Sequence, residues 1–142
     1  AIASEDIGNA DPRALQITLN AWDVYERLGD KEGNRAIAHA AVFCACAPKS
    51  NAVHSAFNQA IQSAKDTGAL DVPVHLRNAT TKLLEELGHG KGYRYAHNEP
   101  GGFSQGQTYF PEEMGEQIYY EPTDRGLEIK IKEKLKQLRE HL

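Results

Sequence analysis

The feature that most constrains this chain is the helical spacing of its apolar residues from Pro12 to about Lys65. Side chains three and four positions apart lie on the same face of an α-helix, so a run of such spacing predicts an amphipathic helix. In the first part of this stretch the spaced positions are Ala14, Leu15, Ile17, Leu19, Ala21, Trp22, Val24 and Tyr25. We therefore expect a helical core with a broad apolar stripe on its first helix.

Capping residues and prolines divide the stretch into separate helices. Asp11 is suited to the N-cap, and Pro12 to the first helical position, where its missing N–H is harmless. Gly29 is suited to ending that helix, because glycine adopts the backbone conformation of a C-terminal cap without strain. A second helix is predicted over residues 31–47, and Pro48 ends it.

The second helix is small-sided around much of its circumference, so neighbouring helices can approach it closely and we place it centrally. A third helix, capped by Ser50 or Asn51, follows. The apolar positions of these two helices are Ala36, Ile37, Ala40, Ala41, Cys44 and Ala45, then Val53, Phe57, Ala60, Ile61 and Ala64. Three helices with short connections predict an all-α antiparallel bundle or collar.

The second half of the chain differs in composition and lacks long stretches of helical spacing. After an extended connector, a short fourth helix is predicted between Asn78, as its N-cap, and Gly88, as its stop. Residues 88–126 hold eight of the twelve glycines and seven of the eleven aromatic residues. This stretch is too aromatic for disorder and too interrupted for a helix, so we expect an ordered excursion in which 117–121 is compatible with a short strand.

A last helix is predicted after Asp124, its expected N-cap. Its apolar stripe is Leu127, Ile131, Leu135, Leu138 and Leu142. The predicted organisation is a helical core at 1–66, a connector with a short helix and the aromatic and glycine-rich excursion at 67–123, and the terminal amphipathic helix at 124–142. Together they form one domain.

Composition and the cysteine spacing argue against several classes of function. The net charge of −4 argues against nucleic-acid binding by bulk electrostatics alone. On a helix Cys44 and Cys46 point about 200° apart, so they cannot form a disulfide or share a metal, and we interpret both as small buried apolar residues. No apolar stretch approaches the roughly 20 residues of a membrane span.

The motifs of catalytic chemistry are incomplete. A phosphate loop needs glycine where Glu85 stands and a hydroxyl residue where Gly92 stands, so residues 88–92 are interpreted as a helix stop and a turn. No histidine pair has the i, i+4 spacing of a zinc site, and no serine lies in a nucleophile elbow. We expect no catalytic residue, cofactor or metal in this chain.

One segment has the composition of a binding site. Tyrosines interleaved with cations can stack bases and pair with phosphates, but they can equally form a stabilising cluster in which arginine packs on tyrosine. Both interpretations remain open. The candidate contact residues for a nucleic acid or a partner protein are His75, Arg77, Lys82, Lys91, Tyr93, Arg94, Tyr95 and His97.

Residues 1–6 resemble the middle of a helix and lack an initial methionine, which suggests a piece of a longer protein or a processed terminus. Several strings also carry a family resemblance. They are ASEDIG at 3–8 with ADPRAL at 10–15, APKSNAV at 47–53, VPVHLRNA at 72–79, GKGYRYAH at 90–97, and FPE at 110–112 with the tyrosines at 119–120. Together they resemble the C-terminal region of the replication-associated recombination protein A (RarA/MgsA) family of AAA+ ATPases.

The resemblance implies a function that the residues alone do not. It places ATP and magnesium in a missing N-terminal module related to clamp loaders and to the Werner-helicase-interacting ATPase. It implies a homotetramer held together by this region, acting at replication forks on DNA ends and gaps and contacting single-stranded DNA-binding protein. A bacterial, cytoplasmic and nucleoid-associated protein is expected. The chain itself is then an oligomerisation and scaffolding domain or, alternatively, a module that binds single-stranded DNA or a partner protein.

Overall fold

The structure, a computed structural model, describes residues 1–139, and within that range it contains helices and no strand. The α-helices are α1 (Arg13–Leu28), α2 (Asp30–Cys46), α3 (Ala52–Thr67), α4 (Lys82–Glu86) and α5 (Glu128–Arg139). A π-helix at Ala3–Ile7 precedes them, and short 3-10 helices lie at Gly8–Ala10, Val74–Leu76, Ala96–Asn98 and Pro100–Gly102. The all-α prediction is confirmed, and none of the described helices is long and apolar enough to cross a membrane.

The contacts divide the chain into two compact units. The first contains residues 1–61 and 119–134, and the second contains residues 62–118 with the described part of α5 after residue 134. The first unit is built on the α1–α2 hairpin, and the second is built largely from turns and 3-10 helices. The sequence-based boundaries at 66 and 123 stay a prediction.

A helical hairpin of α1 and α2 forms the frame of the first unit. Gly29 joins the two helices in one residue at φ +74°, and its N–H donates to the Tyr25 carbonyl over 2.9 Å. Gly33 then lies so close to α1 that an added Cβ would come within 2.5 Å of the Tyr25 Cα. The two helix backbones therefore approach each other through small residues at this end.

The core of the first unit is small. Its buried cluster contains Ala3, Ile7, Ala14 and Cys44, and Phe43 and Ala47 pack against it. The prediction that both cysteines are buried is wrong for Cys46, which is exposed. Because two residues separated by two helical positions point in nearly opposite directions, a helix with one buried face can cover only one of them.

The helix ends follow the capping signals closely in the first unit. Asp11 accepts the Arg13 N–H over 3.2 Å, as expected of a cap, although α1 begins at Arg13 rather than at Pro12. Ser50 accepts the Ala52 N–H over 3.2 Å at the start of α3. At the end of α2, the Lys49 ammonium donates to carbonyls of residues 44, 45 and 47.

Three sequence-based details are wrong. The N-cap of α4 is Thr81, whose hydroxyl accepts the Leu84 N–H over 3.3 Å, and not Asn78. Asp124 does not cap α5, because that helix begins at Glu128 and the Asp124 carboxylate pairs with Lys132 instead. Residues 117–121 form no strand in the described part of the chain. Of the predicted α5 stripe, Leu142 lies outside the described residues.

The close approach at Gly33 predicts how adding one methyl group at this position changes the stability of the chain. Gly33→Ala should lower the free energy of unfolding by about 1–3 kcal/mol, because the new Cβ overlaps the α1 backbone and the helices must separate. This loss should exceed the roughly 1 kcal/mol that alanine gains over glycine in helix propensity. Urea unfolding followed by circular dichroism measures the difference.

Asn34→Ala, on the exposed neighbouring position of α2, is the matched control and should stay within about 0.5 kcal/mol of the wild type. A Gly33→Ala variant as stable as this control would contradict the close packing of the hairpin.

Candidate interaction surfaces

The predicted apolar stripe of α1 is not covered. Leu15, Leu19 and Trp22 are all exposed, Trp22 to 66%. The hairpin buries Ala14 and Ala21 from α1 instead. Single exposed apolar residues are ordinary, but a contiguous set of large ones on one face is a candidate interaction surface.

Beside this stripe lies an apolar groove of about 620 Å³. We call it the hairpin groove, and its lining residues are Ala1, Ile2, Ala3, Thr18, Ala21, Trp22, Tyr25, Ile37, Ala40, Ala41 and Cys44. The alanines and Cys44 form a lining of small side chains, while Trp22, Tyr25 and Ile37 supply the large ones. Such a groove admits the backbone of an incoming helix at short distance.

The hairpin groove has an acidic rim. The Trp22 indole N–H donates to Glu26 over 2.5 Å, and the Tyr25 hydroxyl donates to Asp30 over 2.6 Å. The hydrogen bond to Asp30 also raises the pKa of the Tyr25 phenol. Both ring-bearing residues are therefore held in place by carboxylates that stay at the edge of the groove.

A second exposed apolar stripe lies on α3. Val53, Phe57 and Ile61 follow one another at four-residue spacing, and all are exposed, Phe57 to 64%. We call them the α3 stripe. Within the described residues α3 makes almost no contact with α1 or α2. Phe57 is the most exposed member of the stripe, whereas Val53 and Ile61 are each 38% exposed.

The candidate contact residues for nucleic acid all lie in the second unit, but they differ in their surroundings. Arg94 is the most constrained of them: its guanidinium makes a two-point ion pair with Glu99, at 3.0 and 2.7 Å, and donates to the Gln105 carbonyl. Its own backbone N–H donates to Gln107, and its carbonyl accepts the hydroxyl of the buried Ser104. Arg94 therefore closes the loop between residues 94 and 107.

His75 and Arg77 are engaged in a similar way. His75 Nε2 donates to the Thr108 carbonyl over 2.8 Å. Arg77 donates to the Val72 carbonyl over 2.5 Å and pairs with Asp71 at 3.2 Å. Both side chains hold the connector in place, which favours the structural interpretation for these two residues.

The remaining candidates are available at the surface. Within residues 1–139, no partner is recorded for the ammonium groups of Lys82 and Lys91. Tyr93 and Tyr95 are each about half exposed, and the Tyr95 ring meets the His97 ring at a centroid distance of 4.9 Å. The part of the segment that could stack a base and pair with a phosphate is thus Lys91, Tyr93 and Tyr95.

A buried polar network, which sequence reasoning missed, fixes the start of α5 to the first unit. Glu128 is 0% exposed and accepts hydrogen bonds from the Tyr120 hydroxyl and from both the N–H and hydroxyl of Thr123, at 2.7–2.8 Å. The Ser50 hydroxyl is a further donor. Asn9 donates in turn to the Tyr120 oxygen over 3.2 Å.

Backbone contacts surround this network. The Leu127 N–H donates to the Ala10 carbonyl over 2.8 Å, and the Ser50 N–H donates to the Asp6 carbonyl over 2.7 Å. Gly126, at φ +56°, lies so close to Ala10 that any side chain there would overlap its carbonyl oxygen. The N-terminal segment is therefore clamped between the start of α3 and the start of α5.

The network shifts the ionisation of Glu128. Burial raises the pKa of a carboxyl group, because the charged form loses its hydration. Here the hydrogen bonds from Ser50, Thr123 and Tyr120 outweigh burial, so the pKa of Glu128 lies below the ordinary value of 4.5. Glu128 is charged and fully paired at neutral pH.

Comparison with known proteins decides the family. The family model described as MgsA AAA+ ATPase C terminal matches residues 1–139. The chain belongs to this family. The resemblance inferred from the sequence strings is confirmed.

Individual relatives support the same family. Over 140 residues, 99% of this chain, it is 60% identical to replication-associated recombination protein A of Haemophilus influenzae and 58% identical to that of Escherichia coli K12. It is 34% identical over 84% of its length to ATPase WRNIP1 of Dictyostelium discoideum. The matched part is 31% of both bacterial relatives and 14% of the Dictyostelium protein, so the chain spans less than a third of the curated relatives it matches.

The polar network predicts a pH-dependent loss of stability. Glu128→Gln should lower the free energy of unfolding by about 2–3 kcal/mol at pH 7, because an amide cannot accept all the donors that face the carboxylate. The folded-state pKa of Glu128 is lowered, so its contribution is present above the unfolded value of 4.5 and is lost as pH falls through the folded pKa. The variant lacks that part of the acid sensitivity.

Urea unfolding at a fixed protein concentration and several pH values measures both effects. Glu121→Gln is the matched control, because Glu121 is exposed in the same segment. Equal stability of the Glu128→Gln variant and this control at neutral pH would show that the network is not structurally important.

Proposed function

We propose that this chain is the oligomerisation and scaffolding domain of an AAA+ ATPase that acts in replication-fork maintenance, DNA recombination and DNA repair. In this proposal four copies of the parent protein associate through the domain. The observation that supports it most directly is the uncovered apolar surface of the α1–α2 hairpin, with Trp22 exposed beside a groove of small residues. The names of the bacterial relatives support the link to replication and recombination.

The free energies of apolar burial and of association favour assembly as the reason why these apolar side chains are exposed. Full burial of one large apolar side chain contributes about 1.5–3 kcal/mol, and association costs roughly 4–15 kcal/mol in lost freedom of motion. One exposed residue could not offset that cost. Leu15, Leu19, Trp22, Tyr25 and Ile37 lie on one hairpin and are each 38–66% exposed. Covering what remains exposed of them would contribute about 4–8 kcal/mol per copy, which reaches the lower part of that range.

The same proposal also assigns the chemical activity of the parent protein. ATP and magnesium would be bound, and ATP hydrolysed, by the part of the parent outside this chain, so this domain is not itself an enzyme. The assembled parent would act on DNA ends, gaps and forks, in contact with single-stranded DNA-binding protein, in the bacterial cytoplasm at the nucleoid.

Sedimentation velocity tests the assembly. At micromolar concentration the chain should sediment as a species of about four times its 15.7 kDa. Trp22→Glu should shift it to smaller species, because a carboxylate cannot be buried in an apolar interface without a large desolvation cost. Val42→Glu is the matched control, since Val42 is 63% exposed on α2 but does not line the hairpin groove. A wild-type chain that stays monomeric would contradict the proposed function.

A second candidate function is binding of single-stranded DNA or of a partner protein through Lys91, Tyr93 and Tyr95. The specific observation in its favour is that two half-exposed tyrosines lie beside a lysine for which no partner is recorded within residues 1–139. Arg94 now serves as a structural residue of the loop, because it is already paired with Glu99. It is therefore a poor position at which to test binding.

Fluorescence anisotropy with a labelled oligo-dT tests this function. Lys91→Glu should weaken binding and reduce the slope of log affinity against log salt by about 1, as loss of one phosphate contact requires. Tyr93→Ala should cost about 1–3 kcal/mol if a base stacks on the ring. Lys31→Glu, exposed at the start of α2, is the charge-matched control. Binding at low salt that neither Lys91→Glu nor Tyr93→Ala changes would remove this function.

A further inference from the structure

The second unit is fixed by polar contacts rather than by a buried apolar core. Among its described residues, 62–118 and 135–139, the buried side chains are Ser104 and Gln107, and both are polar. Both form hydrogen bonds with the backbone of Arg94. Gln107 accepts its N–H over 2.7 Å, and the Ser104 hydroxyl donates to its carbonyl over 2.9 Å. Because a buried polar group is costly to leave unpaired, these bonds hold the backbone at Arg94 in one place.

The side chain of Arg94 is fixed as well. Its guanidinium makes two hydrogen bonds to the Glu99 carboxylate, at 3.0 and 2.7 Å, and a third to the Gln105 carbonyl. The Glu99 side chain is only 23% exposed, so this ion pair is better shielded from water than an ordinary surface pair. We call Arg94, Glu99, Ser104 and Gln107 the Arg94 cluster.

The Arg94 cluster lies between the two tyrosines that are candidates for stacking on a base. Tyr93 precedes Arg94 and Tyr95 follows it, and Tyr95 has an extended backbone with φ −77° and ψ 113°. Arg94 is engaged with its own loop, whereas Tyr93 and Tyr95 are 50% and 54% exposed. The bonds to the Arg94 N–H and carbonyl therefore fix the two peptide groups that connect the tyrosines, while both rings stay accessible.

We propose that the Arg94 cluster pre-organises residues 91–95 for single-stranded DNA, so that Glu99 and Gln107 are positioning residues of this site without contacting the DNA. This inference rests on the second candidate function and names residues on which its affinity depends. Pre-organisation raises affinity because a segment that is already ordered loses less conformational entropy on binding.

Glu99 allows a test in which positioning and charge act in opposite directions. Loss of an acid ordinarily strengthens binding to a polyanion, because it removes repulsion. Glu99→Gln should nevertheless weaken binding of labelled oligo-dT by about 3–10-fold, since Arg94 loses its two-point ion pair and the segment must be ordered on binding. The slope of log affinity against log salt should stay that of the wild type, because no phosphate contact is lost.

Two further variants complete the binding experiment. Glu112→Gln removes the same charge from an exposed position of the same unit, and as the matched control it should bind as tightly as the wild type or slightly more tightly. Gln107→Leu changes no charge but leaves the Arg94 N–H without its acceptor, so it should weaken binding as Glu99→Gln does.

Hydrogen exchange tests the positioning without DNA. Backbone amides in peptides that cover residues 91–97 should exchange at least about 5-fold faster in Glu99→Gln than in the wild type, because the segment opens more often. Peptides from α1 and α2 should exchange at the wild-type rate, which shows that the first unit is intact. Unchanged exchange at 91–97 would overturn the inference.

The binding outcomes separate this inference from the function on which it rests. A wild type that does not bind oligo-dT, or binding that neither Lys91→Glu nor Tyr93→Ala changes, would refute both. If those two variants weaken binding while Glu99→Gln binds as tightly as the wild type, only the role of the Arg94 cluster is wrong. A salt slope reduced by about 1 in Glu99→Gln would show that Arg94 itself contacts a phosphate, and the positioning role would again be overturned.

Discussion

The structure depends on the close approach of α1 and α2. Gly33 packs directly on the backbone at Tyr25, and Ala21 and Ala40 continue the contact between the helices with small side chains. Leu19 and Trp22 lie outside this contact and stay exposed. The same constraint that joins the hairpin therefore creates its exposed apolar surface, which is the surface that the proposed assembly would cover.

The sequence predicts the helices better than it predicts which of their faces are buried. Apolar spacing located α1, α2 and α3, and glycine at 29 and serine at 50 marked ends that the structure confirms. Apolar spacing cannot choose between two apolar faces of one helix, however. On α1 the large residues form the more hydrophobic face, yet the alanine face is buried, and the signal that could have indicated this was the glycine inside the second helix at 33.

Charged residues were the least predictable part of the chain. A glutamate on an amphipathic helix ordinarily lies at the solvated face, but Glu128 is buried, and its partners include Ser50, far away in the sequence. Arg94 was a candidate for contact with a nucleic acid, and its pairing with Glu99 and residue 105 depends on a loop that no spacing rule predicts. For both residues the deciding contacts depend on tertiary structure, so local pattern alone could not reveal them.

The apolar surface and the polar network share one short segment. Ala3 lines the hairpin groove and begins the π-helix, whose Asp6 carbonyl holds the Ser50 N–H. Ser50 in turn donates to Glu128. A molecule in the groove thus rests on a segment whose other side is fixed to the starts of α3 and α5. Because Ser50 also caps the helix that carries the α3 stripe, the network ties the start of that helix to the segment that lines the groove.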